Sequence, residues 1–288
     1  MPLKINYNSP SELNSFMKNN GLGMRKKYGQ NFLINPEQRK QLVDALELGG
    51  GEELWEIGAG LGAMTEELLN RGVSLTAFEI DPAFCKVLSE LFSSNTLFKL
   101  IEGDVFKTYP DQIFNERLFL FGNLPYNIAA ALLADFIEHN IIFNRAVITV
   151  QKEVALRMAA GVNTKHYSSF SILCSSVYKV SLLNTIKGKS FYPVPNVDSQ
   201  GVRLDKLEKI NKLPVLFFPM VRSFFSARRK IIRNSMASFL QNNGAKLTGD
   251  FEEIFIKSNI KKERRPETLD MEDYKKLAIL AEEYINNV

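Results

Sequence analysis

From Leu54 to Val150 the chain alternates short apolar runs with amphipathic stretches, and this alternation limits its possible folds more than any other feature. Leu54 to Ile57, Val73 to Ile80, Leu97 to Ile101, Leu118 to Phe121 and Arg145 to Val150 read as strands. Between them Ala63 to Arg71, Pro82 to Phe92 and Ala129 to His139 carry helical spacing, and Gly72 closes the first of these. Strands that feed helices at this spacing predict a parallel sheet covered on both faces. Ligands of such a sheet sit in the crevice at the carboxyl ends of its strands. The residues at those ends therefore carry the functional argument.

The flanking text is simpler. Pro36 to Leu48 reads as a helix with Asn35 as N-cap and Pro36 at its first position, ended by Gly49-Gly50-Gly51. Lys179 to Ile186 and Gln200 to Leu204 read as two more strands, joined by Lys187-Gly188-Lys189 and the Pro-punctuated stretch Phe191 to Pro195. From about Pro214 the pattern is helical: Val215 to Phe225, Ala227 to Leu240, Phe251 to Ile256 and Met271 to Asn286. The predicted organisation is a polar, loosely ordered lead-in over 1–24, a main α/β domain over 25–206 and a small all-helical domain over 207–288. With 288 residues, 45% of them hydrophobic, the chain can bury a full core.

Composition excludes several function classes. Two cysteines and two histidines argue against a disulfide frame and a His-ligated metal. No run approaches the ~20 apolar residues of a membrane span, and the first thirty residues lack the apolar stretch of a signal peptide. The expected setting is a reducing cytoplasm, with no membrane, no metal and a monomeric protein. Net charge is +4. The basic residues cluster: Arg25-Lys26-Lys27 near the start, and Arg222, Arg228, Arg229, Lys230 and Arg233 in a stretch without acids. Each cluster reads either as a solvated face or as a contact for nucleic-acid phosphates.

Four motifs stand at successive strand ends. Glu56-Ile57-Gly58-Ala59-Gly60-Leu61-Gly62 joins a strand to a helix, with glycines that let backbone approach a ligand closely. It suits a nucleoside cofactor without pyrophosphate, although a dinucleotide turn or a purely structural one has a similar pattern. Glu79, about 20 residues on, can accept both hydroxyls of a ribose, while Asp81 before Pro82 reads as a helix cap. Gly103-Asp104 offers a carboxylate to an adenine amino group, or is simply a turn pair. Asn123-Leu124-Pro125-Tyr126 offers an amide, carbonyls stiffened by proline and a flat ring, a set suited to an exocyclic amine and its base.

These motifs, with Gly29-Gln30-Asn31-Phe32-Leu33, Gln151-Lys152-Glu153-Val154, Phe191 to Ser199 and Arg228-Arg229-Lys230, occur in an order that resembles the rRNA adenine N6-dimethyltransferase family, and within it the enzymes of the small subunit. The resemblance runs from about Lys26 to the C-terminal region. It implies a Rossmann-like class I methyltransferase domain with a mostly parallel seven-stranded sheet, S-adenosylmethionine as cofactor and 16S rRNA in the small ribosomal subunit as partner. Asn31, Leu33, Gly58, Glu79, Asp104 and Asn123 are then the expected cofactor contacts. Asn123 and the Leu124 carbonyl would hold the target amino group, with Pro125 stiffening the turn. Tyr126 and Phe191 would sandwich the flipped adenine, with Tyr192 a competitor to Phe191. Arg25, Lys26, Lys27, Arg222, Arg228, Arg229, Lys230 and Arg233 would meet rRNA.

The chain departs from the family pattern in three places. Ala129-Ala130-Ala131 replaces the usual Ser-Thr-Pro, Tyr167-Ser168 replaces Tyr-Gly, and the lead-in precedes the basic start. Two rival readings share most of these motifs: a 23S rRNA adenine methyltransferase of the macrolide-resistance type, and a non-catalytic RNA-binding factor on the same fold. Leu124, the FxPxPxVxS pattern from Phe191 to Ser199 and Arg228-Arg229-Lys230 favour the small-subunit enzyme, and the intact cofactor motif disfavours the second rival.

Overall fold

The alternation folds into a seven-stranded sheet in the computed structural model, which describes residues 4–25, 28–113, 115, 117–124, 128–247 and 249–287. The chain divides into two compact units, one of Met1–Ala155 with Lys179–Lys206 and one of Leu156–Tyr178 with Leu207–Val288.

In the first unit the order along the chain is α1 (Pro10–Asn19), β1 (Phe32–Leu33), α2 (Pro36–Asp44), β2 (Glu53–Ile57), α3 (Ala63–Leu69), β3 (Ser74–Glu79), α4 (Pro82–Phe92), β4 (Phe98–Glu102), α5 (Val105–Thr108), β5 (Phe119–Asn123), α6 (Ala129–Glu138) and β6 (Arg145–Gln151). After α7 (Lys152–Met158) and α8 (Ser169–Ser175) come β7 (Tyr178–Ile186), β8 (Phe191–Tyr192) and β9 (Ser199–Lys206). The sheet order is β4-β3-β2-β5-β6-β9-β7, parallel from β4 to β6, with β9 antiparallel to β6. The direction of winding reverses between β2 and β5, which is where an α/β sheet opens its ligand crevice. Aromatic packing fixes α6 on the sheet: the Trp55 ring on β2 lies 6.3 Å from that of Phe136 on α6 and 5.1 Å from that of Phe78 on β3.

Every strand and helix predicted over 36–150 is present, with ends shifted by a few residues. The lead-in differs from expectation. Instead of loose chain it forms α1, with Ser9 accepting from the Glu12 N–H, Pro10 in the first turn, and Leu13 and Met17 buried one turn apart. These two side chains join Tyr7, Leu61, Phe84 and Val87 in a small core of their own. The Tyr7 hydroxyl donates to the Leu61 carbonyl at 2.9 Å, so the lead-in is tied to the glycine turn after β2.

The second unit contains α8, α9 (Phe217–Ser226), α10 (Ile232–Asn242), α11 (Glu253–Ser258) and α12 (Met271–Asn287). Leu156–Tyr178 belongs to it rather than to the main domain, against the expected unbroken domain over 25–206. The physical reason is burial. Tyr167 and Ile172 sit in the core built by α9, α10 and α12, and the Tyr167 hydroxyl donates to the Leu269 carbonyl at 3.0 Å. Ser168, at the family's glycine position, has extended backbone and needs no glycine; its N–H donates to Ser171 Oγ at the start of α8. The predicted helix from Ala227 starts only at Ile232. The N–H groups of Ile232 and Arg233 donate to the carbonyls of Arg264 and Lys262, which sets where α10 begins and leaves residues 227–230 as a turn.

The small core under the lead-in gives a direct prediction. Leu13→Ala should lower stability by about 2–5 kcal/mol, the usual cost of such a deletion in a core, as read from urea unfolding followed by tryptophan fluorescence. An unchanged midpoint would mean that α1 contributes no stability.

Candidate functional site

Strand register brings the motifs together. Ile57 on β2 pairs with Phe78 on β3 and Gly122 on β5, Glu79 pairs with Glu102, and Asn123 pairs with Thr149 on β6. The turns that follow β2 to β5 therefore leave the sheet at nearly one level. Gly58 turns with φ 77° and Gly60 with φ 59°, backbone that favours glycine. A Cβ on Gly60 would stand 3.1 Å from the Phe32 ring, which lies across the turn.

Glu79 joins the turns. Its carboxylate accepts from the Gly60 N–H at 2.7 Å and the Asp81 N–H at 2.8 Å, and its carbonyl accepts from the Gly103 N–H at 2.8 Å. Burial pushes its carboxyl above the usual range, against those backbone donors. Asp81 caps α4 by accepting from Ala83 N–H, as predicted. Asp104 caps α5 in the same way through Phe106 N–H at 3.1 Å.

One pocket contains Asn31, Leu33, Gly58, Glu79 and Asn123, five of the six expected cofactor contacts. Asp104 is not part of its lining and adjoins through the Gly103–Glu79 bond. Asn31 and Leu33 reach the pocket on the segment around β1, which pairs with β8 through Leu33 and Phe191. The Asn123 amide is held at both ends. Its Nδ2 donates to the Asn31 carbonyl at 3.0 Å, and its Oδ1 accepts from the Thr149 hydroxyl. The Leu124 side chain is buried over Gly122, where a Cβ would meet its Cδ2 at 2.7 Å. Pro125 and Tyr126 lie outside the described residues, as do Lys26 and Lys27.

Phe191 departs from expectation. Its ring is 2% exposed and packed in the core with Leu33, Phe121 and Val147, so in this structure it presents no face to a base. The next residue on β8, Tyr192, is partly buried and packs with the lead-in core. The N-cap of α6 is Ile128, so the helix opens with no side-chain cap, and Ala129 stands at its first position, where a hydroxyl is not the capping group.

Two arginines of the basic cluster in the second unit are tied to other segments. Arg228 donates to the Lys165 and Thr164 carbonyls at 3.1 and 3.2 Å and pairs with Glu267. Arg233 pairs with Glu252, which Lys262 shares. Arg229 and Lys230 are exposed in the turn after α9, and Arg222 is exposed on α9. In the first unit, half-exposed Arg25 faces Asp81 at 3.7 Å.

Thr149 has no role legible in the sequence, and Gln30 and Glu56 stand there only as members of their motifs. Gln30 accepts from the Arg25 N–H and donates to Asp81. Glu56, beneath the glycine turn, accepts from the Thr65 hydroxyl at 2.7 Å, and burial pushes its carboxyl up to about 8. An acid buried just before a strand-end turn was visible in the sequence. Its partner, nine residues on, was not singled out.

Residues 21–277 match the family profile described as ribosomal RNA adenine dimethylase. The ribosomal RNA small subunit methyltransferase A of Treponema denticola is 41% identical over 276 residues, 93% of each chain. That of Bacillus cereus is 33% identical over 283 residues, 94% of this chain and 95% of that one. Among solved structures, a dimethyladenosine transferase from Plasmodium falciparum has the same fold, with a TM-score of 0.72 and 24% identity over 87% of this chain and 97% of that one. The 23S rRNA methyltransferase ErmE does too, with a TM-score of 0.64 and 21% identity over 87% of this chain and 99% of that one.

The Glu56 carboxyl binds its proton more tightly folded than unfolded. Its contribution to stability is therefore complete below its ordinary value of 4.5 and is lost as pH rises through about 8. Thermal midpoints of the cofactor-free protein should fall between pH 5 and 9, and E56Q should fall less steeply. Equal slopes in the two proteins would remove Glu56 as the cause.

Proposed function

The chain belongs to the ribosomal RNA adenine dimethylase family, and from that membership and the strand-end site we propose that it transfers methyl groups from S-adenosylmethionine to N6 of two adjacent adenosines near the 3′ end of 16S rRNA. The substrate is the small ribosomal subunit, and the reaction forms part of that subunit's biogenesis in the cytoplasm. The enzyme works as a monomer and without a metal. No helix among the described residues is long and apolar enough to cross a membrane.

The pocket's chemistry fits the cofactor. The glycine turn has backbone where side chains would fill the cradle, Glu79 keeps acceptor capacity beyond its two backbone donors, and Leu33 gives an apolar wall. The buried Glu79 carboxyl in the lining suits a ligand that brings hydroxyl donors. When bound, S-adenosylmethionine supplies a methyl group already activated on a sulfonium.

The remaining difficulty is the nucleophile, because the N6 lone pair of adenine is delocalised into the ring. The observation that carries this reading is the fixed Asn123 amide at the end of β5, at the edge of the cofactor pocket. Its oxygen and the Leu124 carbonyl accept the two N6–H bonds and turn the lone pair toward the methyl, which is positioning together with electrostatic stabilisation. Proton loss after transfer needs no strong base. The target base must leave its stack, and stacking on Tyr126 offsets that by roughly 1–3 kcal/mol. The buried Phe191 would have to move to give a second face.

Arg25, Lys26, Lys27 and the exposed Arg222, Arg229 and Lys230 meet rRNA phosphates, which position the substrate without reading sequence. Arg228 and Arg233 act first as internal ties. The identity to small-subunit relatives favours 16S over 23S rRNA, since the likeness to ErmE is one of fold.

Labelled S-adenosylmethionine with undermethylated 30S and 50S particles tests the proposal: label should enter two adenosines of 16S rRNA, and label in 50S particles alone would refute it. Asn123→Ala should lower turnover by about 10²-fold or more with RNA binding near normal. Replacing Arg229 and Lys230 by alanine should weaken 30S binding and reduce its salt slope by about 1 for each lost contact. Cofactor affinity, measured by calorimetry, should not change; a parallel loss would reject that turn as the RNA contact.

A further inference from the structure

The β6 run Ala146-Val147-Ile148-Thr149-Val150 is buried along its whole length, and Thr149 is the one polar side chain in it, at 1% exposure. A valine would have the same shape. A buried hydroxyl with no partner costs about 1–3 kcal/mol by protein mutational data, so its presence needs a reason. The reason is its register partner. Thr149 lies beside Asn123 on β5, and its hydroxyl donates to Asn123 Oδ1.

The same amide donates from Nδ2 to the Asn31 carbonyl at 3.0 Å. The bond to the Asn31 carbonyl sets its orientation, and the bond from Thr149 fixes the place of its oxygen. Rotating the amide by half a turn would set Oδ1 against the Asn31 carbonyl oxygen, two acceptors facing each other. Threonine adds stiffness, because its branched Cβ restricts χ1 and holds the hydroxyl in one direction. An amide oxygen has two acceptor directions. Thr149 takes one, and the other stays available at the strand end.

We propose that Thr149 is a positioning residue for methyl transfer, fixing where the Asn123 amide oxygen stands so that it receives the N6–H of the target adenosine. It is too deeply buried to touch substrate and acts only through Asn123. The inference rests on the reading of Asn123 as the N6 acceptor. It assigns a catalytic consequence to a strand residue that would otherwise count as packing.

The test compares T149V, T149S and N123A in the full-length protein with undermethylated 30S subunits. T149V keeps the volume and removes the hydroxyl. Its kcat should fall about ten- to a hundredfold while KM for both substrates changes by less than about threefold, since a misplaced acceptor affects the transition state more than binding. T149S keeps the donor and should retain most of the wild-type kcat. Thermal melts and S-adenosylhomocysteine affinity, measured beside the kinetics, identify any variant that has simply lost its fold. If T149V does not fold, T149C, which nearly keeps the volume with only a weak donor, takes its place.

Wild-type kcat in T149V while N123A is inactive would overturn the role of Thr149 and leave that of Asn123 standing. T149S as slow as T149V would also overturn it, because the hydroxyl would then not be the cause. A fully active N123A would remove the acceptor reading itself, and the role of Thr149 with it.

Discussion

Glu79 is the point on which the site's geometry depends. Through two carboxylate oxygens and one carbonyl it fixes the turn after β2, the start of α4 and the turn after β4. Parallel strands cannot set these turns by themselves, since strand pairing ends where the turns begin. A buried carboxylate that accepts backbone N–H groups carries the order of the sheet one step further, into the loops. The same arrangement leaves it acceptor capacity, because a carboxylate offers about four lone-pair directions and two are used. Structural tie and ligand contact are therefore compatible in one side chain.

Beneath it lies a second buried carboxyl, Glu56, raised by burial and further by Glu79, with the Thr65 hydroxyl opposing. Two acids in one desolvated place disfavour ionisation without a cation. The protonated form of Glu56 needs no countercharge, and below about pH 8 it leaves the turn neutral at this point. Glu79 lines the pocket and Glu56 does not, so the second carboxyl acts on the site only through its neighbour and through the pH dependence of stability.

Much of this was legible in the sequence because it is local. The alternation from β2 to β6 follows from side-chain period, the caps Asn35 and Asp81 follow from residue type before proline, and the strand-end residues follow from turn chemistry. What was not legible depends on pairing between distant segments. The helix α1 has only Leu13 and Met17 as fully buried anchors among Asn and Ser, so its period is weak until Leu61 and Phe84 are beside it. Phe191 stands where its motif put it, yet pairing of β8 with β1 turns its ring into the core. The Arg228 turn kept its charge pattern but not its helix, because residues 262–264 take the first N–H groups of α10. Thr149 was invisible for a simpler reason: in a strand, a β-branched residue is expected.

The segment around β1 gives these observations a common consequence. Asn31 lines the cofactor pocket, and its carbonyl holds the amide proposed to receive the target amine. Leu33 lines the same pocket, and its carbonyl accepts from Arg39, whose other end reaches Asn8 in the lead-in at 2.6 Å. One short stretch of backbone is therefore at once a wall of the pocket and the support of the Asn123 amide. Support of pocket wall and amide by one piece of backbone suits the proposed reaction, which is governed by alignment more than by acid or base strength. The lead-in, tied to that wall through Arg39 and to the glycine turn through Tyr7, belongs to the same support.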